Sequence, residues 1–397
     1  MKFPIVIHSL EKKVEGNVHV NKTDLIYKLV TERHILIKLL RMAMGCEAVE
    51  PVKLAAKEWI AVYRQACSQS LSGMIYGVVN RMGGDENMPR PLLFEWICKA
   101  ESIVGLNTKM NAEAARLTEW FDKRGRMTAI LKGQANARLY PHPDERQPGD
   151  IDIWVEGGKD SVVKLLTEEG MMDKKATVSY HHVHLPPNND GISVEVHFRP
   201  SSGNNNPFTN RRLQHILENE IKHSEFCPEG FYTPTMRFAL LMQMSHIQRH
   251  FLSGGIGLRH IVDYFMLMRN SSSADRAFAR EHLSECGLDK TAGAVMWLME
   301  ELFDMKRDTM IGEPDAYRGR WMLEEILEGG NFGHHSKRRK QGFWHRIFED
   351  QKRNIRLMRF YFWEEFFSVL LFWWHVFKTI PKRIRYRTLS LSRIKEE

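Results

Sequence analysis

The sequence predicts an α+β protein in which a small mixed sheet is flanked by an N-terminal and a C-terminal helical region. Apolar residues recur at helical spacing before residue 121, and alternating, strand-like runs appear only between residues 122 and 230. Helical spacing then returns from residue 231. A hydrophobic content of 43% with 27% charged residues is that of a globular chain that can bury a core.

Residues 1–121 are predicted to form the N-terminal helical region. Helical spacing begins near Leu25 and continues through Val52–Val79 and Leu92–Phe121. Pro89 breaks the pattern between the last two segments, because proline removes a helical hydrogen bond. We therefore expect packed helices without chemistry of their own.

Residues 122–230 are predicted to form the α/β core. Ile151–Val155 and Ile192–Phe198 alternate and are rich in strand-forming residues. Met127–Leu131 is a short apolar run that fits a strand or a helix end. Ser161–Glu169 has the spacing of a short helix, which the following glycine closes.

Residues 231–327 are predicted to form a helical domain, with helical spacing from a Thr235 cap to Met268. Residues 328–397 form a basic, aromatic tail that contains an amphipathic helix. From Ser336 onward the tail holds 16 Lys/Arg against 6 Asp/Glu, whereas the whole chain has a net charge of +8. The rest of the chain therefore has no cationic excess, which argues against a nucleic-acid groove there.

The cysteines exclude two classes of site. They are odd in number, far apart and without a CxxC pair, and they stand at Cys46, Cys67, Cys98, Cys227 and Cys286. This pattern excludes a disulfide framework and a thiolate zinc site. Together with an N-terminus that does not resemble a secretory signal, it predicts a reducing, cytoplasmic location.

Two carboxylates share one face of the first predicted strand. Side chains alternate along a strand, so Asp150 and Asp152 point to one side while Ile151 and Ile153 point into the core. Two carboxylates about 7 Å apart, the rise of two residues, repel each other unless a cation lies between them. Magnesium prefers oxygen ligands and is the expected partner.

Glu195 occupies the centre of the second predicted strand. Val194 and Val196 are expected to face the core, so Glu195 and His197 share the polar face. If the two strands are neighbours, Glu195 meets the two aspartates. Three acids of this kind can hold two magnesium ions for a phosphoryl displacement.

These motifs resemble the DNA polymerase β-like nucleotidyltransferase superfamily and, within it, the family of uncharacterised nucleotidyltransferases. The resemblance spans residues 120–270 or so. It rests on the order of six motifs, namely Lys132-Gly133, Leu139-Tyr140-Pro141, Arg146, Asp150-Ile151-Asp152, Glu195-Val196-His197 and the segment Gly255–Phe265.

The resemblance implies roles for the site residues. Asp150, Asp152 and Glu195 are expected to be the catalytic metal ligands, with Glu195 as the third ligand or as the base for the accepting hydroxyl. The expected substrate is a nucleoside triphosphate. Nucleotide binding is expected from Lys132, Gly133, Gln134 and Arg146, because glycine admits the phosphates and the cations neutralise them.

The turn departs from the superfamily pattern, since Gln134 stands where a second glycine or a serine is usual. Two hypotheses therefore stay open. The first is a magnesium-dependent enzyme that moves a nucleoside monophosphate to an acceptor hydroxyl on a small molecule, sugar or protein. The second is a catalytically inactive protein of the same fold that binds or regulates.

Four histidines cluster in the core sequence, at His181, His182, His184 and His197. A zinc site is the tempting interpretation. We favour substrate contact or polar packing, because His182 and His184 share a strand face that His181 does not. His197 and His184 are expected to hydrogen-bond an acidic ligand or to contact the substrate.

The tail contains the aromatic segment Phe360–Ile380, with Lys/Arg clusters at 337–340 and 381–387. Its charge-free part, Phe366–Phe377, is shorter than the about 20 residues that a bilayer requires. Two interpretations of 341–397 stay open. One is a helix on an anionic membrane surface, peripheral to the inner membrane, and the other is a helix docked on the protein or a partner. Nucleic-acid binding is less favoured.

Overall fold

A computed structural model describes most of the chain, over residues 34–172, 177–329 and 343–386. Side chains are described throughout these ranges except at 328–329, 343–350, 375–377 and 379–386. The helix start near Leu25 and the basic cluster at 337–340 lie outside the described residues, as do the side chains of the second basic cluster.

The chain divides into two compact units. The first is Met1–Thr108 with Tyr140–Pro148, and the second is Lys109–Leu139 with Gly149–Glu397. The second unit holds every strand described below. The division into four regions drawn from the sequence stays a prediction.

Helices dominate the described chain. In chain order they are 34–43 (α1), Ala56–Ser68 (α2), Ser72–Arg81 (α3), Arg90–Asp122 (α4), Gln134–Ala137 (α5), Gly158–Glu168 (α6), Pro207–Glu220 (α7), Met236–Ser253 (α8), Leu258–Asn270 (α9), Ser273–His282 (α10), Asp289–Phe303 (α11), Ala316–Gly329 (α12) and Phe343–Tyr386 (α13).

Six described strands form two sheets. They are Thr128–Ile130 (β1), Ile151–Val155 (β2), His182–Leu185 (β3), Val194–His197 (β4), Glu225–Phe226 (β5) and Tyr232–Thr233 (β6). The larger sheet has the order β1-β2-β4-β3, and the smaller one pairs β5 with β6. β2 and β4 are parallel, whereas β1 and β3 run antiparallel to their neighbours. A mixed sheet among helices confirms the predicted α+β class.

Alternation along the two central strands places their aliphatic side chains in the core. Ile153 and Val155 of β2 are buried, as are Val194 and Val196 of β4. Burying each such side chain stabilises the fold by about 1.5–3 kcal/mol. The parallel register then places the intervening polar residues of the two strands side by side.

The helical spacing predicted from Thr235 to Met268 corresponds to two helices. The Thr235 hydroxyl accepts the backbone N–H of Phe238 at 3.2 Å, which confirms the predicted cap. The first helix, α8, ends at Ser253, and the second, α9, starts at Leu258. Two consecutive glycines follow Ser253, and glycine favours a helix end.

A tight turn in the first unit fixes the backbone around Arg146. A Cβ on Gly73 would lie 2.3 Å from the carbonyl oxygen of Glu145, so only glycine fits at this contact. The Asn107 amide donates to the carbonyl oxygens of Asp144 and Arg146, both at 2.8 Å. These contacts therefore fix the backbone of Arg146.

The first part of α13 packs on α8 within the second unit, and the helix is interrupted at Tyr361. The Arg353 guanidinium donates to the carbonyl oxygens of Phe251 and Leu252. Glu364 accepts the backbone N–H of Asn205 at 2.7 Å. Within the described part of the chain, no helix is both long and apolar enough to cross a bilayer.

Glu365 lies fully buried on α13, and neither of its carboxylate oxygens has a hydrogen-bond partner within the described residues. Burial raises the pKa of Glu365 from 4.5 to about 8; the Arg353 charge opposes this and the Glu364 charge adds to it. The folded protein thus keeps a proton that the unfolded chain releases across pH 4.5 to 8. Stability consequently falls as the pH rises through that window.

We expect Glu365→Gln to raise the free energy of unfolding at pH 7 by about 3 kcal/mol and to flatten its decline with pH. The neutral amide keeps the shape of the side chain and does not titrate. Urea unfolding at pH 5, 7 and 8 measures both effects. Glu324→Gln, an exposed position on α12, is the matched control. Equal pH slopes for the two variants would contradict the prediction.

Candidate active site

Three adjacent strands bring the polar residues of the site together. Asp152 of β2 pairs with Glu195 of β4 in the parallel register, and Lys132 lies two residues beyond the end of β1. All three line a cavity of about 310 Å³ in the second unit, together with Asp150 and His197. The structure thus brings the three predicted acids into one cavity.

Lys132 is the cation nearest to the two aspartates. Its Nζ lies 2.7 Å from Asp152 Oδ2 and 4.0 Å from Asp150 Oδ1. Burial lowers the pKa of the ammonium, but the charges of Asp152 and Asp150 outweigh this and raise it. Burial likewise raises the pKa of Asp152, but the Lys132 charge and the His197 hydrogen bond hold it below its ordinary value. Both partners are therefore ionised at neutral pH.

His197 links the two paired strands through one nitrogen. Its Nε2 lies 3.0 Å from Asp152 Oδ1 and 3.3 Å from Glu195 Oε2, so this nitrogen carries the hydrogen. Burial lowers the pKa of the imidazole, but hydrogen bonds to the two carboxylates outweigh it and raise the pKa. His197 is placed where the sequence predicted it, between acidic side chains, and its role in catalysis stays a prediction.

Glu195 faces the histidines of β3. Its Oε1 lies 3.6 Å from His184 Nδ1 and 3.8 Å from His182 Nε2. Burial raises the pKa of Glu195, but the His197 hydrogen bond and the neighbouring imidazoles outweigh burial and hold it at about 2. Glu195 is thus a carboxylate at neutral pH. His184, with a side chain 66% exposed, lies at the solvent side of this group.

His181 joins the histidine cluster, contrary to the expectation from strand alternation. Its ring lies 4.3 Å from that of His182 and 5.3 Å from that of His197, centroid to centroid. Alternation did not apply to it because β3 begins only at His182. Burial lowers the pKa of His181 to about 2 and that of His182 to about 4. Their neutral imidazoles offer lone pairs at pH 7.

The donor atoms fit a divalent cation. Asp152, Glu195 and His197 each offer one ligand atom, and these atoms lie within 4.8 Å of one another. Two further groups of this kind combine His182 with His181 and His197, or with His184 and Glu195. The groups share members and therefore describe one site. Its carboxylates suit magnesium or manganese, whereas its imidazoles suit a softer metal such as zinc.

The Gly133-Gln134 turn lies beside this cavity without lining it. Gly133 has a φ of +65°, and a Cβ there would lie 3.3 Å from the carbonyl oxygen of Asp150. Glycine is thus required by the backbone itself. Gln134 is buried, and its Nε2 donates to Asn111 Oδ1 at 2.7 Å. A contact of either residue with a nucleotide stays a prediction.

Arg146 is placed in the first unit, whereas the other predicted site residues lie in the second. It is buried, and its guanidinium carbon lies 6.0 Å from the ring centroid of Tyr140. Its predicted contact with the nucleotide phosphates stays a prediction.

Helix α8 contributes His246, Arg249 and His250 to the lining of the cavity. The i, i+4 spacing of His246 and His250 in the sequence favours a helix packed near the active site, and both residues line the cavity. Arg249 was missed, although it lies three residues after His246 and therefore on the same helix face. Arg199, which lies outside this lining, continues the alternation of Glu195 and His197 two residues farther along the chain, and this pattern could have placed it near the site.

Comparisons with known proteins identify the family of the chain. The chain is similar to an antigenic nucleotidyltransferase-like protein from Paracoccidioides brasiliensis, known from a crystal structure, with 12% sequence identity and a TM-score of 0.32. The similarity covers 53% of this chain and 96% of that one. No curated protein matches the chain significantly. The sequence model of the uncharacterised nucleotidyltransferases matches residues 55–304, more than half of the chain. The chain therefore belongs to the uncharacterised nucleotidyltransferase family.

Proposed function

We propose that the protein is a magnesium-dependent nucleotidyltransferase that moves a nucleoside monophosphate from a nucleoside triphosphate to an acceptor hydroxyl. The pairing of Asp152 with Glu195 inside one cavity carries this proposal. Membership of the nucleotidyltransferase family supports the reaction class. A small molecule, sugar or protein is the proposed acceptor.

Asp152 and Glu195, with Asp150 completing the acidic set, are the proposed ligands of two magnesium ions. When bound, magnesium supplies positive charge that stabilises the negative charge developing on the phosphoryl oxygens. The low pKa of Glu195 favours the ligand role over that of the base, because a general base works best with a pKa near the working pH. Lys132 adds a fixed positive charge at the same carboxylates.

A transfer assay with the full chain tests the proposal. The protein is incubated with each of the four nucleoside triphosphates, labelled at the α-phosphate, and with a panel of hydroxyl-bearing acceptors. We expect label on an acceptor and release of pyrophosphate with magnesium, and neither with a chelator. An absence of magnesium-dependent triphosphate consumption, together with no nucleotide binding by calorimetry, would argue strongly against the proposal.

The second candidate is an inactive member of the family that binds or regulates. The close approach of the Lys132 ammonium to Asp152 favours it, because this cation already neutralises the carboxylate that a metal would need. Calorimetric titration of magnesium with a non-hydrolysable triphosphate separates the two candidates. Tight joint binding supports the enzyme, whereas magnesium that adds nothing to nucleotide affinity supports the second candidate.

The tail is proposed to contact an anionic membrane surface on the cytoplasmic side. In the later part of α13, the exposed apolar residues Trp363, Leu370 and Trp374 fit an interfacial helix. Co-sedimentation with phosphatidylserine vesicles tests this. We expect L370E/W374E to lower binding, whereas Ile355→Glu, a substitution of an exposed apolar residue on the docked part, leaves it unchanged. Equal sedimentation of both variants would remove the basis for the membrane contact.

A further inference from the structure

A second cavity of about 700 Å³ lies in the same unit as the acidic site. Its polar lining includes three arginines, Arg199, Arg211 and Arg249. Glu218 is the one acid among the lining residues, so positive charge prevails there. This volume is typical of a pocket for a small molecule.

Two of these arginines carry charges that no acidic side chain of the described chain neutralises. Arg211 is exposed on α7, and no described carboxylate lies within ion-pair distance of it. The guanidinium of Arg199 lies 4.5 Å from the ring centroid of Tyr180, a contact that orients the side chain without cancelling its charge. Both guanidinium groups remain available for an anion.

Arg249 connects this cavity with the acidic site. Arg249 and Ser202 line both cavities. The Arg249 Nη1 donates to the carbonyl oxygen of Gly203 at 3.3 Å and lies 3.5 Å from Asn205 Oδ1. Arg249 thus holds the loop at Gly203 and Asn205, and the two cavities adjoin at Arg249 and Ser202.

The second cavity lies at the opposite half of the sheet from the predicted nucleotide-binding turn. Lys132 and Gly133 follow β1, at one edge of the sheet order β1-β2-β4-β3. Tyr180 precedes β3, the strand at the other edge, and Arg199 follows β4, the neighbour of β3. A molecule bound by the arginines therefore approaches the paired acids from the side away from that turn.

We propose that the second cavity binds the phosphate group of a phosphorylated small-molecule acceptor and directs its hydroxyl to the acidic site. This inference rests on the proposed function. Guanidinium groups bind phosphate through paired, charge-assisted hydrogen bonds, and their planar geometry suits its oxygens. A cavity of about 700 Å³ suits a small acceptor better than a long polynucleotide.

Calorimetric titration of inorganic phosphate into the full chain, with a chelator present, tests the site. We expect saturable binding to the unsubstituted protein, binding about tenfold weaker for Arg211→Ala, and none for R199A/R211A. Arg212→Ala is the matched control. Arg212 is the next residue of α7, is exposed, and does not line the cavity, so its variant should bind within about twofold of the parent.

Two outcomes overturn the inference. One is phosphate binding that is absent, or weakened equally by Arg211→Ala and Arg212→Ala. The other is complete displacement of phosphate by magnesium and a non-hydrolysable triphosphate, which would assign the arginines to the nucleotide. Asp152→Asn distinguishes a failure of the phosphate site from a failure of the proposed function. This variant should retain phosphate binding even though it abolishes transfer. If the parent binds phosphate in this cavity yet transfers no nucleotide, the proposed function fails and an anion site stands.

Discussion

Asp152→Asn is expected to lower the rate of nucleotidyl transfer by at least about a thousandfold and to leave the fold intact. Asp152 contacts Lys132 at 2.7 Å and His197 at 3.0 Å, and it pairs with Glu195 across the strands. Asparagine keeps the shape but loses the charge and one acceptor oxygen. A metal ion held by the Asp152 and Glu195 carboxylates would therefore lose one of the two negative charges that bind it.

The fold should survive this substitution because the Lys132 ammonium still lies 4.0 Å from the Asp150 carboxylate. The Lys132 side chain is also 23% exposed, so solvent reaches its charge. Transfer rates and thermal unfolding are measured together on the variant. Asp160→Asn, which removes an exposed aspartate from α6, is the control and should retain the parent rate. If the Asp152 variant transferred nucleotide at the parent rate, the paired acids could not be the catalytic centre.

Lys132→Met is expected to lower the free energy of unfolding by about 3–5 kcal/mol in the absence of metal, because it leaves a buried carboxylate without its cation. Asp152 is only 1% exposed, so water cannot replace the ammonium. The substitution K132M combined with D152N should recover most of this loss. Urea unfolding of the two single variants and the double variant measures the coupling.

The same variant tests for the metal without an activity assay. If magnesium binds the carboxylates that no longer contact a lysine, it should stabilise Lys132→Met. At a magnesium concentration one hundred times the dissociation constant, the free energy of unfolding should rise by about 2.7 kcal/mol. The double variant should respond much less, since it lacks the Asp152 charge. If neither magnesium nor manganese changed the free energy of unfolding of Lys132→Met, the result would favour the inactive candidate.

The sequence predicted the strands and the acids because both depend on local rules. Alternation identified Ile151–Val155, and it placed Glu195 between two core valines. The same rule failed at His181, which precedes its strand and is brought to His197 by the chain's path. Local patterns cannot foresee such approaches.

Contacts between distant parts of the chain account for the rest. The ion pair of Lys132 with Asp152 joins the segment after β1 to β2, so the sequence offered only a lysine near a glycine. Arg211 lies on α7 and Arg249 lies on α8, and both line the larger cavity. The helical spacing of these two segments predicts only that the helices pack, so it does not identify a cavity. Their convergence on one cavity requires the tertiary structure.

The docking of α13 makes this helix part of the pocket wall. Glu364 fixes the backbone at Asn205, and Leu371 lines the larger cavity. A lipid surface or a partner that drew this helix outward would therefore release one side of the arginine pocket. Attachment at the tail and admission of the acceptor would then be thermodynamically linked, each altering the affinity of the other by the same factor.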